Sequence, residues 1–275
     1  MGTELPMPTG SEFSQAIFLD NDSTQIHLVQ TTHPYIESIS IPESPDIKSQ
    51  PLTAILSHLE SISGHDFTNN LYIERAFRIR ASRPQHIYDP LSGIQEHHVN
   101  HVDEWIRRTS RRLERRALLM DWDRTLSLFE GYFGDDEGAL PANRAAYYED
   151  LLLVLLGGAP RLTMIRGLIA RAHAAGIDLF VITNNGGCND PGSGFNNFVT
   201  HLFGNIPYTM ICGRDYGGHK GRALEHDPRF NPLANPLPPF RGGGSHGFRY
   251  NTRRRRIARR RNTIRTRVRC RIHRK

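Results

Sequence analysis

Cysteine is scarce in this chain of 275 residues: Cys188, Cys212 and Cys270 are odd in number and widely spaced. That pattern argues against a disulfide framework and against a site of paired cysteine ligands. It leads to the expectation of reduced thiols in an intracellular compartment. Long apolar runs are also missing. The longest, around Leu151 to Leu156, falls well short of the ~20 residues that a membrane span requires, so no membrane partner is expected. The N-terminus lacks a basic segment followed by an apolar one, which points away from secretion. Acidic residues are absent beyond Asp227, whereas residues 241–275 hold fifteen of the 35 Lys+Arg. The remainder carries 20 basic against 28 acidic groups, a net charge of −8. The formal +7 of the whole chain therefore belongs to a tail on a mildly acidic body.

What the body contains is a set of short apolar runs alternating with helical patterns. Ala117-Leu-Leu-Met-Asp121-Trp-Asp123-Arg-Thr125 is an apolar run that stops abruptly at two carboxylates. Such a run reads as a buried strand, and the C-terminal end of a buried parallel strand is where an open α/β sheet places its ligand site. Two aspartates two residues apart put both side chains on one side of an extended backbone. Negative charge concentrated there costs free energy unless a cation or a proton offsets it. Ala16-Ile-Phe-Leu-Asp20-Asn-Asp22 repeats the pattern near the other end of the chain; a solvated turn after an edge strand is the alternative reading of that second pair.

Elsewhere, a helix is expected from Gln25 to Gln30, a strand from Ile36 to Ile41, and a loop from Pro42 to Pro51. Leu52, Ile55, Leu56 and Leu59 have helical spacing. Residues 64–93 read as irregular, with a turn at Asp89 to Gly93. Val99, Val102, Ile106 and Leu113 mark one face of a long helix. Helices are expected near 142–156 and 161–175, the second stopped by Gly176. Ile177 to Ile182 and Tyr208 to Cys212 read as strands, Phe195 to Leu202 as a helix, and Gly217-Gly218-His219-Lys220-Gly221 as the lead into a last short helix. Alternation of this kind predicts an α/β fold, a Rossmann-like parallel sheet with helices on both faces.

Asp121-Trp-Asp123-Arg-Thr125 after one strand, Thr183 after a second, and Lys220 at a following helix start resemble the first three motifs of the haloacid dehalogenase-like (HAD) hydrolases, in the family's order. The family's fourth motif, an apolar strand ending in acidic residues, does not follow the lysine here. Ile17 to Asp22, with the Ile36 to Ile41 strand after it, resembles that motif instead. The resemblance therefore implies a circularly permuted HAD-like domain over residues 14–227. Residues 14–45 would carry the fourth-motif strands, 46–116 connecting helices and a loop, and 117–227 the first three motifs. Residues 1–13 are expected to be flexible, and 228–275 to be a disordered Pro/Gly-rich, then Arg-rich tail. The arrangement also resembles proteins of large DNA viruses.

The chemistry that the resemblance implies is Mg²⁺-dependent hydrolysis of a phosphomonoester. Asp121 would be the nucleophile and Asp123 the general acid and base. Mg²⁺ would sit on Asp121, the carbonyl of Asp123, and one or both of Asp20 and Asp22. Thr183, Asn184 and Lys220 would hold the phosphoryl oxygens. The intervals between motifs leave room for a small cap or none. An open site of that kind suits phosphoproteins, nucleic-acid ends or a loosely held small molecule. A catalytically weak domain that binds nucleic acid through its tail is the competing expectation.

Remaining features carry less. His97, His98 and His101 have spacings that could bind zinc, or form a polar helix face. The arginines at 107, 108, 111, 112, 115 and 116 could meet phosphates or face solvent. Residues 64–93 could shape the mouth of the site or link the two halves. The run from Arg253 to Arg261 reads as a nuclear-targeting signal, a sequence-nonspecific nucleic-acid arm, or a shifted reading frame. The expected location is cytoplasmic or nuclear.

Overall fold

The computed structural model describes residues 12–42, 49–50, 52–63, 86–88, 92–110, 115–129, 144–185 and 187–231. All lie within the compact unit Met1–Pro236. The strands are β1 (Gln15–Asp20), β2 (Ile36–Ser40), β3 (Ser49–Gln50), β4 (His86–Ile87), β5 (Arg116–Met120), β6 (Ile177–Thr183) and β7 (Thr209–Cys212). The helices are α1 (Ser23–Thr32), α2 (Leu52–Ser63), α3 (Glu96–Thr109), α4 (Arg144–Leu156), α5 (Ala159–Ala174), α6 (Gly194–Phe203) and α7 (Lys220–Glu225).

Five strands form one sheet in the order β2-β1-β5-β6-β7, with every pairing parallel. The apolar runs explain why. Successive side chains of a strand point to opposite faces, and here both faces are covered. Ile17 and Leu19 of β1, Leu118 and Met120 of β5, and Leu179 and Val181 of β6 enter one core with residues of α3 to α6. Ala16 and Phe18, Ala117 and Leu119, and Phe180 and Ile182 enter a second core with Ile26 and Val29 of α1 and Ala223 and Leu224 of α7. A fully buried residue such as Phe18 contributes ~2–3 kcal/mol relative to exposure, so these two layers dominate the stability.

Most expected elements are present with ends shifted by a residue or two, and four expectations need correction. β1 lies between β2 and β5, with Asp20 fully buried, so it is no edge strand with a solvated turn. His86 and Ile87 pair with Gln50 and Ser49 in a two-stranded antiparallel ladder inside segments expected to be loop; two residues are too few to show a period. The expected boundary at 227 cuts a folded segment, because Phe230 is fully buried against Phe13 and Phe180. Phe13 itself, placed in the flexible N-terminus by sequence, is 1% exposed.

Of the arginine run, Arg116 is buried and donates to Thr109 Oγ1. Arg107, Arg108 and Arg115 are exposed and ion-paired, and positions 111 and 112 lie outside the described residues. Outside them too lie residues 64–85, residues 130–143 and the Arg-rich tail. Among the described residues no single helix is long and apolar enough to cross a membrane.

Sheet order fixes where a ligand site can form. From β5 the chain runs through β6 to β7 on one side, while β1 and β2 lie on the other. The crevice beyond the C-terminal ends of β1 and β5 is therefore the switch point of the sheet, where open α/β folds bind their ligands. At the opposite end of β6 and β7, a cavity of about 270 Å³ is lined by Arg115, His173, Asp178, Tyr208 and Arg229, among others.

Candidate active site

Register brings the two acidic strand ends together. Leu19 pairs with Met120, and the Asp121 N–H donates to the Leu19 carbonyl at 2.9 Å. Asp20 and Asp121 thus leave adjacent strands side by side, 0% and 2% exposed. Between them sits Lys220, 3% exposed, whose ammonium donates to Asp20 Oδ2 at 2.6 Å and reaches Asp121 Oδ1 at 2.7 Å. Residues 200 positions apart in sequence therefore form one buried ionic cluster.

Two carboxylates share one ammonium, and the electrostatics follow from that imbalance. Burial raises the pKa of Asp20 to about 7, with the Asp121 charge adding to the effect and Lys220 opposing it. Burial likewise raises Asp121 to about 6; Lys220 opposes, and Asp123 adds. Burial works against the charge on Lys220, yet Asp121 and Asp20 together outweigh it and hold its pKa above the usual range. The ammonium stays charged, and the excess carboxylate is the group that titrates near neutrality.

The loop after β5 turns sharply. Trp122, between the two aspartates, is fully buried edge-on to Phe195 and Phe198. Asp123 is half-buried, and Arg124 takes a left-handed conformation at φ 54°. Thr125 ties this loop to the one after β1: its hydroxyl accepts from Asn21 N–H at 3.0 Å and lies 3.2 Å from Asn21 Oδ1 and 3.4 Å from Asp121 Oδ2. Asp22 is engaged locally. Its carboxylate accepts from Thr24 N–H at 2.8 Å and caps α1, while its own N–H donates to Asp20 Oδ1.

Thr183 ends β6 fully buried, and its Oγ1 accepts from Asn185 N–H at 3.1 Å. Asn184 donates through Nδ2 to the Gly218 carbonyl at 3.1 Å, joining the loop after β6 to the turn before Lys220. Gly217 and Gly218 in that turn have φ of +70° and +85°, which suits residues without a Cβ.

Three supports of the site carried no sequence signal. Gln25 of α1 accepts from Lys220 N–H at 2.9 Å and donates to the Gly218 carbonyl at 3.1 Å. Arg161 of α5 is buried and donates to the carbonyls of Thr125, Leu126, Ile94 and Leu156. It holds the back of the loop that begins at Asp121, and burial lowers its pKa to about 9. Gly93, at φ +76°, leaves space for that guanidinium; a Cβ there would stand 2.2 Å from Nη2.

The third is the pairing of Cys188 with Cys212, which are joined as a disulfide with Cα atoms 5.5 Å apart. This corrects the expectation of reduced thiols at these two positions. Cys212 is the register partner of Thr183, so adjacency of β6 and β7 brings together cysteines that are 24 residues apart. Cys270 lies outside the described residues.

The histidine trio is not gathered on one ion. His98 is buried and accepts from Gln95 N–H through Nδ1. Burial, together with His97 and His101, lowers its pKa to about 4. His101 pairs with Glu37 at 2.8 Å. Among the described residues no group of three or more His, Cys, Asp or Glu side chains is assembled for a metal ion. The donors at the β1–β5 crevice nevertheless fit a hard divalent cation, being buried carboxylate oxygens with one negative charge beyond what Lys220 offsets. No protein-family profile, curated protein or solved structure matches this chain.

Proposed function

We propose that this chain is a circularly permuted HAD-like phosphatase that hydrolyses a phosphomonoester with Mg²⁺. The observation that carries the reading is Lys220 seated between Asp20 and Asp121. Four sequence positions picked for one chemistry, Asp20, Asp121, Thr183 and Lys220, lie at the C-terminal ends of neighbouring strands or beside them. The pairing of β1 with β5 supports the permutation, because it sets Asp20 next to Asp121 although about a hundred residues separate them.

In this mechanism Asp121 attacks phosphorus and the ester oxygen departs, taking a proton from Asp123. An aspartyl-phosphate remains. Asp123, now ionised, accepts a proton from water as that water attacks the phosphoryl group, releasing phosphate and restoring both carboxyl groups. Lys220 and the Thr183 hydroxyl offset charge on the phosphoryl oxygens. Mg²⁺ held by Asp20 and Asp121, with the Asp123 carbonyl, would supply the positive charge that lets an anionic nucleophile meet an anionic substrate. Asp22, as the cap of α1, fixes the loop after β1 and would support the ion through Asp20, whose Oδ1 accepts from the Asp22 N–H.

A second reading, a catalytically weak domain, has one observation in its favour: residues 241–275 hold fifteen Lys+Arg and no Asp or Glu. Its tail, residues 241–275, would then bind nucleic acid with an affinity that falls steeply with salt. Hydrolysis of p-nitrophenyl phosphate by the parent and by Asp121→Asn, with and without Mg²⁺, separates the two. The phosphatase reading expects a Mg²⁺-dependent parent rate that drops at least ~10³-fold in Asp121→Asn. Equal rates in the two proteins overturn it.

A further inference from the structure

We propose that Gln25 is the positioning residue of Lys220, fixing the lysine's backbone so that its ammonium falls between Asp20 and Asp121. Lys220 is the first residue of a six-residue helix, and His219 before it makes no side-chain capping bond. The leading N–H groups of a helix have no partner within the helix. Here the acceptor for Lys220 N–H comes from another element, the Gln25 Oε1 at 2.9 Å. The same amide donates through Nε2 to the Gly218 carbonyl at 3.1 Å, two residues before the lysine. One side chain thus clamps both sides of His219, immediately after a glycine pair whose backbone has little intrinsic preference.

The geometry has a consequence for Lys220 in particular. Gln25 lies five residues after Asp20 in the same β1–α1 segment. That segment therefore grips Lys220 twice, at its amide through Gln25 and at its ammonium through Asp20. A free lysine side chain samples many rotamers, and a fixed backbone confines where the buried ammonium can go. Gln25 itself is 8% exposed and has both amide groups committed to this turn. The rest of the turn is held by Asn184 on the Gly218 carbonyl and by His33, whose Nε2 lies 3.1 Å from the Gly221 carbonyl. Neither makes a hydrogen bond to the lysine.

What Lys220 does for a substrate rests on the phosphatase reading; where Lys220 sits does not. The test keeps the two apart. The chain has three lysines, Lys48, Lys220 and Lys275, so acylation by acetic anhydride can be followed at each by mass spectrometry, with the other two as internal references. Gln25→Met keeps the side-chain volume and removes both hydrogen bonds; Gln25→Glu keeps the acceptor and removes the donor.

In the full chain, Gln25→Met is expected to raise the acylation rate of Lys220 ~10-fold over the parent, and Gln25→Glu ~3-fold, the scale of one or two lost hydrogen bonds. With p-nitrophenyl phosphate and Mg²⁺, kcat should fall ~10-fold in Gln25→Met while KM changes less than ~3-fold. If Gln25→Met does not fold, Gln25→Glu decides on the same measurement. Parent-like reactivity of Lys220 in whichever variant folds overturns the proposal, even where the melting temperature falls. Loss of Lys220 protection in a protein whose parent hydrolyses no phosphoester sustains the role of Gln25 and overturns the phosphatase reading alone.

Discussion

The two ends of the same parallel strands carry charged clusters of opposite character. At the C-terminal ends, Asp20, Asp121 and Lys220 have side chains 0%, 3% and 4% exposed. At the N-terminal ends, Arg115 bridges Glu12 and Asp178 with side chains 56%, 46% and 39% exposed. Water screens the second cluster, so each pair is worth under ~1 kcal/mol. Desolvation makes the first cluster demanding, because each ion there depends on its partners to stay charged. The difference separates a surface network, which tolerates change, from a site that holds reactive charge in a dry place.

Substitutions at the two ends should expose that contrast. Lys220→Met leaves two buried carboxylates without their cation and is expected to cost ~3–5 kcal/mol at pH 8, read as a lower midpoint in urea. Below pH 5 both carboxyls can bind protons, and most of that loss should vanish. A smaller effect of opposite sign is expected for Asp20→Asn. Asp20 and Asp121 hold protons to about 7 and about 6 in the folded chain, against 3.8 for the unperturbed group. The folded state therefore binds more protons than the unfolded one across that window, and their contribution to stability falls as pH rises through it.

Asp20→Asn removes the excess charge, leaves Lys220 and Asp121 as a matched pair, and should raise the melting temperature at pH 8 by ~2–4 °C. On the phosphatase reading it should also abolish the Mg²⁺ dependence of hydrolysis. A melting temperature that drops in this variant at pH 8 would show that the Asp20 charge is fully compensated. Arg115→Ala is the smallest change, within ~1 kcal/mol and diminished by salt. A loss comparable to that of Lys220→Met would erase the contrast between the two ends.

How much of this was legible in the sequence depends on the range over which each feature is determined. Apolar runs ending in carboxylate marked β1 and β5, and with them Asp20 and Asp121, because burial on both faces leaves no polar alternation to blur the signal. The cap at Asp22 is local and readable: Asp22 directly precedes α1, which opens with Ser23 and Thr24, yet the apolar spacing predicts a start only at Gln25. Gln25, Arg161 and the Cys188–Cys212 pair gave no such warning. Each acts on a segment distant in sequence, and a buried amide or guanidinium that satisfies backbone groups has no composition or spacing of its own. Phe230 escapes a sequence reading for the same reason, since a lone aromatic in a Pro-rich stretch shows its burial only once Phe13 and Phe180 meet it.

Placement of β1 inside the sheet also sets a timetable for synthesis. The strand leaves the ribosome about a hundred residues ahead of its inner neighbour β5, which begins at Arg116, and Lys220, which offsets the Asp20 charge, follows later still. Until then Asp20 has reason to remain hydrated and the strand to remain unpaired on one side. Long-range pairing of this kind slows folding and leaves an apolar edge open to association. The nascent chain therefore completes its candidate catalytic cluster only after its sheet, when α7 supplies the last ion.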